Sequence, residues 1–302
     1  MLGQIENRIR RTYTGRFGRL ATKGKEIVWQ AKDPSRTRAR RRAASDLAGR
    51  ACVEIPREKG FAVFDQAAFG GTQGLVDAGR EIIHRHEHAA PATTNRKKEY
   101  FFNIIEPADL DRYPAIMEFA LNRDLLGSLS RYYGTLPELC SLGLMLSLPN
   151  EKELKGSQLA HFDAYDSHHV KVIVAVEDVT AENGALEFIP ADKSAEVATK
   201  MGARFKANMR CPDDKLFQHL SPEEFIAADV KAGDGVVLDT STCLHFGSRV
   251  KTGRRLMWFI HFAMFSEYSK MEQTANGSIL FQNLSTRAKF ASERASSLVL
   301  AL

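Results

Sequence analysis

Short apolar blocks of strand length recur along the chain at residues 61–64, 142–148, 169–176, 236–238 and, rich in aromatics, 256–265. The segments between them read differently. Residues 40–50, 72–89, 114–133, 194–205, 221–228 and 282–298 fit helices. Pro114 opens one of them, where its missing N–H costs nothing. Ser221, Pro222 and Glu224 give another a capping-box start. Over 254–265 strict alternation would place Arg255, Met257, Phe259 and His261 on one strand face, and Arg254, Leu256 and Trp258 on the other. The pattern predicts a mainly β protein with flanking helices, of the α+β kind, without internal repeats.

Polar residues that interrupt this pattern carry the candidate chemistry. His161-Phe162-Asp163 has no helical period, and in an extended chain residues i and i+2 project from one face, about 6.6 Å apart along the strand. His161 and Asp163 can then reach one ion. Asp166 and His168, or the pair His168-His169, offer alternatives just downstream. A third ligand is available at His245, in a β-like stretch that follows the turn 231–235 and the strand 236–238. Two imidazoles and one carboxylate suffice to hold iron(II) on one face and leave the opposite positions open. Cys243 would share a face with His245 and is read as a packing residue. His84 and His88 lie one helical turn apart, a zinc-chelating geometry, but no third ligand accompanies them.

These parts, in this order, resemble the phytanoyl-CoA dioxygenase family of iron(II)- and 2-oxoglutarate-dependent oxygenases. The resemblance rests on His161-x-Asp163, the strand that follows, the phrase EDVTAENGALEFIP at 177–190, His245 and Arg255, and it spans roughly residues 58–265. It implies a double-stranded β-helix, the cupin-like jelly roll. It also implies that His161, Asp163 and His245 bind Fe(II), and that Arg255 holds the distal carboxylate of 2-oxoglutarate. A guanidinium suits that role because its planar fork donates two parallel hydrogen bonds. Arg254 competes for it. With O2, such an enzyme hydroxylates an unactivated C–H and releases succinate and CO2. Asp163 itself favours hydroxylation, because related halogenases replace the carboxylate with a small residue.

The chain departs from the family pattern at several positions. Ser194 comes four places after Pro190 rather than two, Gly247 with Ser248 replaces a hydroxyl residue two after the histidine, Ala160 replaces a tryptophan, and Met257 replaces a serine.

Composition and charge refine this picture. With 302 residues, 44% of them apolar, the chain can bury a large core. Cys52, Cys140, Cys211 and Cys243 are scattered without a C-x-x-C, which predicts reduced thiols and a cytoplasmic setting. No apolar run is long enough to span a membrane. Residues 1–42 carry thirteen Lys or Arg against three acids, although the whole chain is only +5. Ile5, Ile9, Tyr13, Phe17 and Leu20 recur there at near-helical spacing.

The expected organisation is therefore a basic, helical arm over 1–50 and a single oxygenase domain over 51–302, with an insertion at 191–230 and a C-terminal helix. The arm could meet an anionic membrane surface, which would make the enzyme peripheral to the membrane. Nucleic acid is disfavoured, because no base-reading motif accompanies the basic run 38–42. The insertion is expected to shape the pocket for a small-molecule, carrier-linked or lipid-linked substrate, with Arg204, Lys206, Arg210 and Lys215 as anion contacts. Two other readings stay open: a cupin-like metal enzyme that does not use 2-oxoglutarate, and a non-catalytic protein binding anions or membrane surfaces.

Overall fold

A computed structural model of the chain describes residues 33–88, 100–163, 168–201, 210–264 and 279–280, with a few positions between 24 and 31. The strands are β1 (Phe61–Phe64), β2 (Phe101–Asn103), β3 (Glu138–Ser147), β4 (His169–Ala175), β5 (Glu187–Phe188), β6 (Ile226–Ala227), β7 (Gly235–Asp239), β8 (His245–Phe246), β9 (Arg255–Ala263) and β10 (Ile279–Leu280). The helices are α1 (Pro34–Leu47), α2 (Thr72–His88), α3 (Asp109–Arg112), α4 (Ala115–Ala120), α5 (Arg123–Tyr133), α6 (Ala191–Lys200) and α7 (Asp213–Leu216).

The large sheet runs β1-β7-β4-β9-β3-β10, with β2 sharing the outer edge of β3, and the small sheet runs β6-β5-β8. Every pairing is antiparallel. Met145, Ile173, Val236, Leu238, Met257 and Phe259 of the large sheet meet Phe188 and Ile226 of the small one in a shared core. This is the jelly-roll arrangement, with two sheets closing on one interior.

The opposite face of the large sheet is covered by helices. Val170, Val172, Val174, Leu256, Trp258, Ile260 and Phe262 pack there against Leu75, Ile82 and Ile83 of α2 and Leu125 and Leu129 of α5. The indole of Trp258 donates to the carbonyl of Leu75 at 2.9 Å. Helix and sheet approach so closely here that a Cβ on Gly79 would lie 2.7 Å from Val176. β9 is therefore buried on both faces, and its alternation divides the helix-packed residues from those inside the barrel.

Three helical expectations need correction. The helix expected over 114–133 is broken, because the side chain of Asn122 accepts the amides of Asp124 and Leu125 and starts α5 anew. Pro114 caps α4 from outside its first turn. The capping box at Ser221 does form, with the Glu224 carboxylate accepting the Ser221 amide at 3.0 Å. It closes only a short 3-10 turn, however, and the chain then pairs as β6 on β5 instead of continuing as a helix. The early helix begins sooner than expected, at Pro34, with Asp33 as its cap. Arg40 on that helix is buried, donating to the Leu136 carbonyl at 2.7 Å and pairing with Glu138 at 3.2 Å. One charge of the basic run therefore ties α1 to the domain. The expected arm helix before residue 24 and the C-terminal helix over 282–298 fall outside the described residues.

No helix among the described residues is long and apolar enough to cross a membrane. The four cysteines are free thiols.

Candidate metal centre

His161 and His245 come together through the backbone. They form an isolated antiparallel bridge, His161 donating to the His245 carbonyl at 3.0 Å and receiving the reverse bond at 3.1 Å. Residues directly opposite in such a pair project to one face, and the two rings lie 4.3 Å apart by their centroids. Asp163 is fixed two residues on, where its amide donates to the Thr240 carbonyl at 2.8 Å. The segment around His161 is extended, as expected, but it is a bridge rather than a full strand.

The three side chains each present one ligand atom within 4.8 Å of the others. Nε2 of His161 is 3.6 Å from Asp163 Oδ1, and Nε2 of His245 is 3.7 Å from Asp163 Oδ2. Both Nδ1 atoms face carbonyls, that of Leu159 at 2.8 Å and that of Cys243 at 2.9 Å. A carbonyl only accepts, so each Nδ1 carries the proton and each Nε2 lone pair faces the centre, the tautomer a metal requires. Burial keeps the rings neutral, pushing His161 well below its ordinary value and His245 down to about 4. Burial alone would raise Asp163, but the Lys171 ammonium 2.6 Å away, with the histidines beside it, holds the carboxyl well below the usual range. Two neutral imidazoles and an ionised carboxylate suit a divalent cation with mixed nitrogen and oxygen preference. Among the described residues no other group of three such ligands occurs.

Neither His168 nor His169 joins the three-ligand group, although His169 Nδ1 lies 3.8 Å from Asp163 Oδ2. His168 contacts Asp239 at 2.6 Å through Nδ1, and Asp166 lies outside the described residues. His169 Nδ1 faces the Thr240 hydroxyl at 3.3 Å. Cys243 is buried in the barrel core, as a packing residue would be, and its thiol points to the Lys59 carbonyl. His84 is exposed on α2, and the side chain of His88 is outside the described residues.

The two arginines separate completely. Arg254 lies at the surface and pairs with Glu177 and Glu87. Arg255 turns into the barrel, is 2% exposed, and has no acidic partner among the described residues. Its guanidinium donates to the Gly184 carbonyl at 2.6 Å and to the hydroxyls of Ser147 and Ser248 at 3.0 and 2.6 Å, while Nε finds no acceptor among the described residues. Burial alone lowers its pKa to about 10, which leaves it cationic near neutrality.

The Asn-Gly turn explains one of these contacts. Asn183 accepts the Thr180 amide at 2.7 Å, and Gly184 follows at φ +89°, where a Cβ would lie 2.9 Å from Val250. Only glycine can bring its carbonyl there.

Several departures from the family pattern find a structural answer. Ser248, itself at φ 62°, supplies the hydroxyl missing at Gly247. The displaced Ser194 is buried and accepts the Leu244 amide at 2.8 Å, steadying the strand that carries His245.

Sequence reasoning missed Lys171 and Ser147. Each is a polar residue inside an otherwise apolar strand, and that interruption was the available signal. Of the four insertion cations, Arg204 and Lys206 lie outside the described residues and Lys215 is exposed on α7. Arg210 sits beside the histidines: Cys211 pairs with Ala160, so Arg210 stands across from His161.

Comparison with known proteins gives the following. No curated protein matches the sequence. Several solved structures are similar in shape, among them the following three. SnoN, a non-heme alpha ketoglutarate dependent epimerase from nogalamycin biosynthesis, is 17% identical with TM-score 0.46 over 73% of this chain and 82% of its own. HygX from Streptomyces hygroscopicus, solved with nickel and 2-oxoglutarate bound, is 17% identical with TM-score 0.43 over 68% and 83%. EctD from S. alaskensis, solved with bound Fe, is 16% identical with TM-score 0.46 over 68% and 73%. The sequence profile of the phytanoyl-CoA dioxygenase family matches residues 147–256, a stretch that contains all three clustered side chains and Arg255. Residues 147–256, just over a third of the chain, are thus similar to the phytanoyl-CoA dioxygenase family, whose enzymes are oxygenases that use iron(II), 2-oxoglutarate and O2.

Proposed function

We propose that His161, Asp163 and His245 hold the ferrous ion, that Arg255 binds the distal carboxylate of 2-oxoglutarate, and that the enzyme hydroxylates an unactivated C–H of a small organic substrate. The observation that carries this reading is the pairing of two features in one interior: a ligand cluster with its lone pairs pre-set, and a buried guanidinium with no acid of its own. When bound, the iron and its co-substrate supply the oxidising chemistry, in which O2 is consumed, 2-oxoglutarate is converted to succinate and CO2, and the substrate gains a hydroxyl.

The chain's own residues do the rest. The Leu159 and Cys243 carbonyls orient the two rings, and the Thr240 carbonyl fixes Asp163. Ser147, Ser248 and Gly184 aim the guanidinium. The apolar wall of Ile173, Met257 and Phe259 excludes water between them. A buried arginine lacking a counter-ion also argues against a cupin-like enzyme without 2-oxoglutarate, because its desolvation would then go uncompensated.

Succinate formation from 2-oxoglutarate with iron(II) and ascorbate tests the reading. Arg255→Ala should raise the KM for 2-oxoglutarate and Arg254→Ala should not; the reverse result would overturn the arginine assignment. The basic stretch 1–42 extends the proposal to an anionic membrane surface on which the enzyme meets a carrier- or lipid-linked substrate. Co-sedimentation with anionic vesicles, lost when residues 1–30 are removed, would support that extension, and no co-sedimentation of the full chain would end it.

A further inference from the structure

Among the described residues, two cations remain near this interior once iron and co-substrate have been assigned their residues. Lys171 lies on the inward face of β4, its side chain 14% exposed and its ammonium 2.6 Å from Asp163 Oδ2. In the sheet register it stands beside His261 of β9 and Leu238 of β7. Arg255 is on the same strand as His261 but six residues earlier, about 20 Å along β9. Lys171 therefore belongs to the opposite end of the barrel from Arg255, on the far side of the co-substrate's anchor.

Arg210 comes to the two histidines from a different segment. The bridges Ala160–Cys211 and His161–His245 set three short extended segments side by side, with Arg210, His161 and His245 in one row. Residues in such a row project together. The Arg210 charge bears on both histidine rings, and its Nη1 is buried without an acceptor among the described residues.

Charge balance gives these positions meaning. Ferrous iron and Arg255 together match Asp163 and the two carboxylates of 2-oxoglutarate. Among the described residues Lys171 and Arg210 are then in excess, because Asp163, the acid that Lys171 meets, is already shared with the metal. Cations partly withdrawn from water favour a counter-charge, and among the described residues neither iron nor co-substrate leaves one over.

We propose that Lys171 and Arg210 bind an oxyanionic group of the substrate, so that the enzyme acts on anionic molecules whose carboxylate, phosphate or sulfate lies close to the carbon that reacts. The proposal rests on the iron and Arg255 assignments above and adds the class of substrate. Lys171 also forms an ion pair with a proposed metal ligand, whereas Arg210 forms none among the described residues, which makes Arg210 the cleaner probe.

The test is equilibrium dialysis of labelled sulfate against the full-length protein loaded with manganese(II) and saturating 2-oxoglutarate, a state in which no turnover is needed. One sulfate should bind per chain. Arg210→Met and Lys171→Met should each weaken it by about tenfold or more, whereas the surface variant Arg254→Met and the co-substrate variant Arg255→Ala should leave it unchanged. Acetate or phosphate should displace it, the stronger competitor indicating whether a carboxylate or a phosphoryl group is preferred. Absence of saturable sulfate binding to the wild-type protein, or equal affinity in wild type, Arg210→Met and Lys171→Met, overturns the proposal. Retention of 2-oxoglutarate is measured in the same samples. If it fails in the wild type, the functional reading falls separately, and the Arg255→Ala arm shows whether sulfate had merely taken the co-substrate's place.

Discussion

Both faces of β9 are buried, and they serve opposite purposes. Leu256, Trp258, Ile260 and Phe262 face the helices and are fully sequestered with other apolar side chains. Arg255, Met257, Phe259 and His261 face the barrel, where a guanidinium and an imidazole are buried as deeply as the hydrocarbon beside them. Apolar burial contributes roughly 25 cal/mol per Å², whereas a buried charge costs free energy unless it is paired. The outer face therefore stabilises the fold. The inner face draws on that stability to hold groups poised for ligands.

The contrast can be broken or sharpened by substitution. The largest expected effect is on the inner side: Asp163→Ala should reduce iron-dependent succinate formation to the no-enzyme level while circular dichroism still reports a folded protein. Loss of the fold in this variant would erase the distinction between the faces. Trp258→Ala, on the outer side, should cost about 3–5 kcal/mol in urea unfolding, and the folded fraction should keep its 2-oxoglutarate affinity. Arg255→Ala should weaken 2-oxoglutarate by about 2 kcal/mol, roughly thirtyfold in Kd, as read by calorimetry.

Smaller effects are expected at the end of β7. Tyr132 donates to Asp239 at 2.7 Å, and Tyr132→Phe should cost about 1 kcal/mol. Burial alone would raise Asp239, but His168, Ser241 and Tyr132 outweigh it and hold the carboxyl below its ordinary value. The stability this adds is present above the ordinary carboxylate pKa and is lost as pH falls through the depressed one. Asp239→Asn should accordingly flatten the acid limb of a stability–pH profile. Arg254→Ala closes the series, with a change under about 1 kcal/mol because its ion pairs are partly exposed.

Much of this was legible before the fold was known, and the failures have physical causes. The strands at 169–175, 235–239 and 255–263 matched their apolar blocks, because a period of two in a sheet is a property of the chain itself. The Asn122 break was missed because the apolar spacing on either side continues in helical register; the cap won locally by satisfying two amides. The Ser221 cap signal was genuine, but β5 offered the residues after it an open edge, and sheet pairing displaced the helix. Arg254 and Arg255 had been distinguished only by alternation and spacing. In the fold one meets two glutamates at the surface, and the other meets a carbonyl, two serines and no acid.

The sequence alone determined the donors available, the alternation that turns Arg255 inward and the Asn-Gly turn that only glycine can complete, since each depends on residue type and short-range geometry. Only the tertiary structure decided that His161 and His245 lie opposite one another, that Lys171 leans on Asp163, and that Ser248 stands in for the absent hydroxyl at 247. His161 and His245 are 84 positions apart, Ser248 depends on a left-handed backbone, and Lys171, only eight positions from Asp163, meets it from a different segment, β4. Such contacts are fixed by the closure of two sheets around one core, which no local pattern encodes.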